Sequence, residues 1–232
     1  MVRAAINDAA WKGMPIMKLT TITNVTVDGV MQGLGGPDED RRGGFERGGW
    51  AMPLFDEETE AYLGQLYQRA DAFLLGRRTY DVFAGSWGSG TWGTNEGDNP
   101  ISSALNRRPK YVVSNTLAHP QWEGTTVLSG DTLAAVRGLK AAPGGELQVH
   151  GSLSVVRWLL AHQLVDEITL LIYPVVVGQG ARLFPDTGPD MALDLVASRS
   201  TANGIALHVF RPHGRPRYAP AMSEANAGEE GR

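Results

Sequence analysis

The chain has 232 residues and no cysteine, which excludes disulfide frameworks, thiolate zinc sites, iron–sulfur clusters and cysteine nucleophiles. With 21 Lys+Arg against 25 Asp+Glu, its formal charge of −4 argues against a general nucleic-acid binder. Glycine is the outlier, with 29 residues where an average composition of roughly 7% would give far fewer. No G-X-Y period accompanies these glycines, so collagen is excluded and they belong to loops and turns.

Residues 1–16 hold Asn7, Asp8 and Lys12 among alanines, without the apolar core of a secretory signal, and are expected to form a flexible leader. Met14 and Met17 are alternative starts. Lys18 to Thr26 is rich in Thr, Ile and Val and ends at Asp28-Gly29, the pattern of a strand and turn. Gly29 to Gly49 is a long polar loop with eight glycines. Asp56-Glu57-Glu58 opens a helix to about Arg69, its acidic first turn matching the helix dipole. Tyr62, Leu63, Leu66 and Tyr67 form its buried stripe. Ala72 to Leu75 is a continuous apolar run typical of a strand covered on both faces. Gly76 follows, then a helix from Thr79 to about Ala84 and a glycine-rich loop from Gly85 to Asn99. Tyr111 to Val113 and Thr126 to Leu128 read as further strands. Asp131 caps a helix to about Lys140. Leu147 to His150 is a strand, and Ser152 caps a helix from Leu153 to His162. Ile168 to Val177 is a strand interrupted by Pro174, too short for a membrane span of about twenty residues. Leu193 to Ser198 and Ile205 to Phe210 form a closing antiparallel pair around Asn203-Gly204. Residues 213–232 hold almost no large apolar side chains and read as a flexible tail.

This alternation predicts an α/β domain over residues 17–212, with a mostly parallel central sheet and an antiparallel C-terminal edge. Glycines sit where strands end and helices begin, the place where open α/β sheets bind anionic ligands. Gly88-Ser89-Gly90-Thr91-Trp92-Gly93 spells G-x-G-x-x-G but lacks the preceding strand that a dinucleotide fingerprint needs. The five histidines show no metal-ligand spacing, and no metal is expected. His150 ends a strand and reads either as a packed, hydrogen-bonded histidine or as a ligand contact.

Three strand ends carry the chemistry. Leu74-Leu75-Gly76-Arg77-Arg78-Thr79-Tyr80 sets two arginines beside a helix start, which suits a phosphate or a surface ion pair with an ordinary cap. Val149-His150-Gly151-Ser152-Leu153 repeats the arrangement. Ser114-Asn115-Thr116 follows a third strand and suits an adenosine ribose or a side-chain-stabilised turn. In the long loop, Arg41, Arg42 and Arg47 read as a grip on a substrate phosphate or as solvated charge. Trp50, Trp87 and Trp92 read as ring-stacking groups or as loop anchors.

The ordered set of Thr23-Asn24-Val25-Thr26-Val27-Asp28-Gly29, the Gly76 to Tyr80 turn and His150-Gly151-Ser152 resembles the dihydrofolate reductase-like superfamily. Leu164-Val165-Asp166-Glu167-Ile168 and Tyr173-Pro174-Val175-Val176-Val177-Gly178-Gln179-Gly180 are most similar to its riboflavin-pathway branch, the C-terminal reductase domain of the bifunctional deaminase–reductase. The resemblance implies a three-layer α/β/α fold, NADPH as cofactor, a small-molecule substrate, a homodimer and a cytoplasmic enzyme, with no nucleic-acid or membrane partner. It assigns Gly76, Arg77, Arg78 and Thr79 to cofactor phosphate, and Ser114 and Asn115 to the adenosine end. Gly151, Ser152 and Leu153 go to the pyrophosphate, Asn24 and Val25 to the nicotinamide end, and Gly178 and Gly180 to a loop near the cleft. Asp56 and Glu60 are the catalytic carboxylate candidates. The implied activity is hydride transfer from NADPH to a small heterocyclic or ribosyl-pyrimidine-like substrate, as in 5-amino-6-(5-phosphoribosylamino)uracil reductase. Dihydrofolate reduction and non-catalytic NADPH binding are the alternatives. The zinc deaminase motif of the bifunctional protein does not occur in this sequence.

Overall fold

The computed structural model describes residues 16–88 and 99–219. Eight strands form one sheet: β1 (Lys18–Thr26), β2 (Ala70–Gly76), β3 (Lys110–Val113), β4 (Thr125–Leu128), β5 (Glu146–His150), β6 (Glu167–Tyr173), β7 (Leu193–Ser200) and β8 (Ala206–Pro212). Their order is β4-β3-β2-β5-β1-β6-β8-β7. The strands from β4 through β6 are parallel, and β8 joins β6 and β7 antiparallel. Parallel strands need crossover helices on both faces. These are α1 (Glu57–Gln68), α2 (Arg77–Phe83), α3 (Pro100–Arg107), α4 (Thr132–Ala141) and α5 (Leu153–Ala161).

Strand alternation divides the core in two. Ile22, Leu171 and Tyr173 pack with Leu63, Leu66 and Tyr67 of α1 and Leu105 of α3. Leu19, Val25, Leu147 and Val149 pack on the other face with Val136 of α4 and Leu159 of α5. The expected three layers are present.

Local departures have local causes. β6 stops at Tyr173 rather than Val177, because Pro174 has no N–H for the ladder. α2 begins at Arg77, with Gly76 rather than Thr79 at the capping position, and a wider π-type turn, Ala84–Gly88, continues it. α3 has no counterpart among the predicted elements. It is short and carries few apolar residues, yet Asn99 caps it by accepting from the amides of Ile101 and Ser102, and Pro100 opens it. The G-x-G-x-x-G candidate lies outside the described residues apart from Gly88, as do residues 1–15 and the tail from 220. Residues 213–219 pair back onto the fold: His213 N donates to Ala192 O at 2.7 Å, and Arg215 meets Asp190 at 2.9 Å.

The long loop after β1 is held from inside. Gln32 donates to the carbonyls of Asp40 and Arg42 and accepts from Ala181 N, while Trp50 Nε1 donates to Gln32 O at 2.8 Å. Phe45 is buried between two glycines. A side chain on Gly33 or Gly180, both at positive φ, would lie 2.8 and 2.7 Å from its ring.

Candidate active site

A cleft of about 1300 Å³ opens across the carboxyl ends of β1, β2 and β5. Single small-ligand sites span roughly 300–1,000 Å³, so this space admits a dinucleotide and a second small molecule together. Its lining falls into two groups, the turns that follow β2 and β5 and the wall beside α1, while α2 itself packs through Tyr80 and Phe83 in the same cluster as α1.

In the first group, the turns after β2 and β5 lie next to each other because those strands pair. Ser152 knits them: its Oγ accepts from Gly76 N at 2.8 Å and donates to Thr79 Oγ1 at 2.7 Å. The expected Ser152 cap of α5 is therefore corrected. Ser152 occupies the capping position, but its hydroxyl serves the α2 turn instead. Gly151 and Ser152 are both left-handed, with φ of 60°. Arg77 is anchored to Asp81, one helical turn on, with Nε 2.9 Å from the carboxylate. Arg78 Nη1 is 3.1 Å from Asp40 in the long loop. Gly76, Arg77, Arg78, Thr79, Gly151, Ser152 and Leu153 all line the cleft, as does Thr23. Thr23 Oγ1 is buried and has no hydrogen-bond partner among the described residues.

On the α1 side, Asn24, Glu60, Leu63, Tyr67, His150 and Tyr173 line the cleft with Met52 and Phe55. His150 stacks on Tyr67 with ring centroids 3.9 Å apart. Gln148 uses its amide N–H groups on Leu66 O and Glu146, so its Oε1 accepts from His150 Nε2 at 2.9 Å. Burial pushes the His150 pKa down to about 3, leaving a neutral ring. Tyr173 is fully buried and meets Trp50 edge-on at 5.3 Å. Burial, together with the nearby Asp56 charge, pushes its hydroxyl up to about 12, so the hydroxyl stays protonated. Tyr173 Oη and Asn24 Oδ1 are buried and have no hydrogen-bond partner among the described residues.

The remaining expected residues fall elsewhere. Asp56 caps α1: its Oδ1 accepts from Thr59 N and Thr59 Oγ1, which holds its carboxyl below the usual range. Glu60 is the one of the two carboxylates that lines the cleft. Val25 points into the α5-side core. Ser114 Oγ accepts from the amides of Thr116 and Leu117, a turn stabilised by its side chain, and Asn115 follows it outside the cleft wall. Gly178 N donates to Asp28 Oδ2 at 2.8 Å, and Gly180 makes room for Phe45, so both glycines support the loop. Arg41 pairs with Asp38, Arg42 with Asp40, and Arg47 donates to Val177 O. Trp50 is a loop anchor, Trp87 lines the cleft, and Trp92 lies outside the described residues. Sequence reasoning missed Tyr173. Its one signal was a hydroxyl-bearing residue ending an apolar strand before a proline.

The donor set fits a nicotinamide dinucleotide. Arg77 and Arg78 supply charge for phosphates, and Thr23 Oγ1 is an orphaned polar atom at the floor beside the Gly151 turn.

A parallel sheet that ends in an antiparallel pair, with a cleft across the ends of β1, β2 and β5, is the dihydrofolate reductase-like fold. Residues 17–207 match the sequence profile of the RibD C-terminal domain, and the chain belongs to that family. It is 27% identical over 193 residues to the uncharacterized protein YyaP of Bacillus subtilis (strain 168), covering 82% of this chain and 92% of YyaP. It is 23% identical over 159 residues to the uncharacterized protein YwjB of the same organism, covering 68% of this chain and 83% of YwjB. Among solved structures, a candidate riboflavin biosynthesis protein from Shewanella sp. PV-4 superposes with a TM-score of 0.63 at 19% identity, covering 85% of this chain and 99% of the other. A pyrimidine reductase-like protein from Corynebacterium diphtheriae superposes with a TM-score of 0.55 at 17% identity, covering 85% and 92%. Among the described residues, no helix is long and apolar enough to cross a membrane.

Proposed function

We propose that this protein is an NADPH-dependent reductase of a small heterocycle, of the reaction class of riboflavin-pathway reductases. One observation carries this reading: a single cleft joins a pair of arginines beside the Gly151-Ser152 turn to a second chamber with orphaned polar atoms. Bound in the first part, the reduced dinucleotide supplies a hydride for a polarised C=N or C=O, leaving the oxidised dinucleotide. Arg77 and Arg78 hold its phosphates, with Gly76, Thr79, Gly151, Ser152 and Leu153 shaping the cradle. Val113 and Thr132 wall the adenosine end, with Ser114 and Asn115 fixing the turn behind it. Thr23, Asn24 and the backbone of Val25 border the nicotinamide. Glu60 delivers the proton that accompanies the hydride, while Asp56 fixes the start of α1 and biases Tyr173. Gly178 and Gly180 keep the loop that frames the entrance. We extend the reading to a homodimer, because the edge strand β7 exposes Leu195 and Val196, and to a cytoplasmic location on the family resemblance alone.

Titration with NADPH should quench tryptophan fluorescence and raise the melting temperature, since binding stabilises by about 2.7 kcal/mol at a hundredfold excess over Kd. NADPH should then be oxidised in the presence of at least one pterin, pyrimidine or flavin precursor. Saturable binding without oxidation against that panel would instead identify a non-catalytic nucleotide-binding protein. No binding would remove the proposal.

A further inference from the structure

We infer that Tyr80 and Trp122 are positioning residues for the cleft: from behind its wall they fix where α2 presents Arg77 and Arg78 and where Trp87 stands. Neither side chain lines the cleft. The inference rests on the reductase reading only for the ligand that feels the effect, the reduced dinucleotide.

Residues 77–88 supply one continuous wall. Arg77, Arg78 and Thr79 line the cleft from the start of α2, and Phe83, Ser86 and Trp87 line it from the far end. The segment is a seven-residue helix followed by a single π-type turn. Helices this short do not hold themselves, so the place of the wall is set by tertiary partners. Ser152 fixes the front of α2 through Gly76 N and Thr79 Oγ1. The rest is fixed from the connection between β3 and β4.

Tyr80 is the buried residue of α2. Its hydroxyl oxygen accepts from Gln121 N at 3.0 Å and from Trp122 N at 3.1 Å. Trp122 carries the far end. Its indole N–H donates to Asn106 Oδ1 at 2.7 Å, and Asn106 Nδ2 donates to Trp87 O at 3.3 Å. Gly88 rests against the same indole, where a Cβ would lie 3.1 Å from Cδ1 and Nε1. Lys110 Nζ is 4.7 Å from the centroid of the Trp122 ring and donates to the carbonyls of Leu105 and Arg108, so the indole is itself held between α3 and β3.

A phenylalanine at position 80 would bury nearly the same apolar surface. The hydroxyl adds direction: apolar burial is indifferent to orientation, whereas hydrogen bonds weaken steeply off-axis. Two backbone donors converging on one oxygen therefore fix the depth and rotation of α2. Without that oxygen, two amides lose their acceptor and the connection shifts to satisfy them.

The test is calorimetric titration of the full chain with NADPH, comparing the parent with Tyr80→Phe and Trp122→Phe. Ile168→Val, in the core on the other face of the sheet, serves as a destabilised control. Urea midpoints and circular dichroism establish that each protein is folded and how far it is destabilised. Tyr80→Phe should weaken NADPH by about fivefold, roughly half the worth of one charge-assisted hydrogen bond, while the control binds within about twofold of the parent. Trp122→Phe, which keeps a ring but loses the indole N–H, should weaken it in the same direction. A second readout needs no cofactor. In chains labelled with 5-fluorotryptophan, the Trp87 fluorine resonance, assigned with Trp87→Phe, should move in both variants and stay in place in the control. Parent-like NADPH affinity in both variants overturns the inference, as does an equal loss in the control, which would reduce Tyr80 to core packing. If the parent binds no NADPH, the reductase reading falls by itself and the Trp87 resonance decides: a shift in the folded variants upholds the positioning role, and an unmoved resonance overturns it.

Discussion

Arg78 Nη1 lies 3.1 Å from Asp40 Oδ1, which ties the start of α2 to the long loop between β1 and α1. Asp40 also holds Arg42, and the two arginines keep its carboxyl below the usual range, the Arg42 hydrogen bond contributing most. A dinucleotide phosphate at the α2 turn must compete with Asp40 for Arg78. Asp40→Asn should therefore tighten NADPH binding by about threefold at low salt, with the gain shrinking as salt screens the half-exposed arginine. Fluorescence titration at two ionic strengths measures both effects. Weaker binding in the variant would mean that Asp40 positions Arg78 rather than occupying it.

Among the described residues, Arg77 pairs with Asp81 within α2 and makes no ion pair to the long loop. We assign it to the extra phosphate that distinguishes NADPH from NADH. Arg77→Ala should weaken NADPH by about tenfold and NADH by less than about twofold, given the strength of charge-assisted phosphate contacts. Equal weakening of the two would move Arg77 to the pyrophosphate.

The Ser152 side chain has two opposing effects on stability. Its hydroxyl satisfies the buried amide of Gly76 and engages Thr79, yet its backbone sits at φ 60°, ψ 61°, a conformation that a residue with a Cβ adopts at a cost. Ser152→Ala keeps the strain and removes both bonds, so it should destabilise by about 1–3 kcal/mol. Ser152→Gly loses the same bonds but relieves about 1 kcal/mol of left-handed strain, so it should be the more stable of the two. Urea unfolding of both variants gives the order directly. A lower midpoint for Ser152→Gly than for Ser152→Ala would show that the strain is absent in solution.

The strand ends were readable because their signals are local: apolar runs closed by glycine, and an acidic first turn opening α1. Gly76, Arg77, Arg78, Thr79, Gly151 and Ser152 all reached the cleft for that reason. What escaped depended on partners distant in sequence. Ser152 looks like a cap until β2 and β5 pair and bring Gly76 N to its hydroxyl across 76 positions. Gly178 and Gly180 look like ligand glycines until Asp28 and Phe45 fold against them. Tyr173 looks like core, and only the position of β1 beside β6 shows that its hydroxyl has nothing to bond. The tie between the long loop and α2 likewise rests on the Arg78–Asp40 ion pair, which no spacing rule contains.

Acid should lower the stability of this protein through two groups that act over different pH ranges. The His150 pKa is depressed by burial to about 3, from an unfolded value near 6.5, so the unfolded chain binds the extra proton throughout that interval. Stability is therefore full above about pH 6.5 and falls as pH drops toward 3. Although burial alone would raise it, hydrogen bonds from Thr26 Oγ1 and the amides of Val177 and Gly178 hold the Asp28 carboxyl down at about 2. The stability contributed by Asp28 is present above about pH 4 and lost as pH falls toward 2. Urea midpoints measured from pH 7 to pH 2 separate the two groups. His150→Gln should flatten the decline between pH 6.5 and 4, and Asp28→Asn should be less stable than the parent at pH 5 yet converge with it near pH 2. A His150→Gln curve parallel to the parent's across the upper window would show that the imidazole takes up its proton with the fold intact, and that its tautomer is not fixed by Gln148.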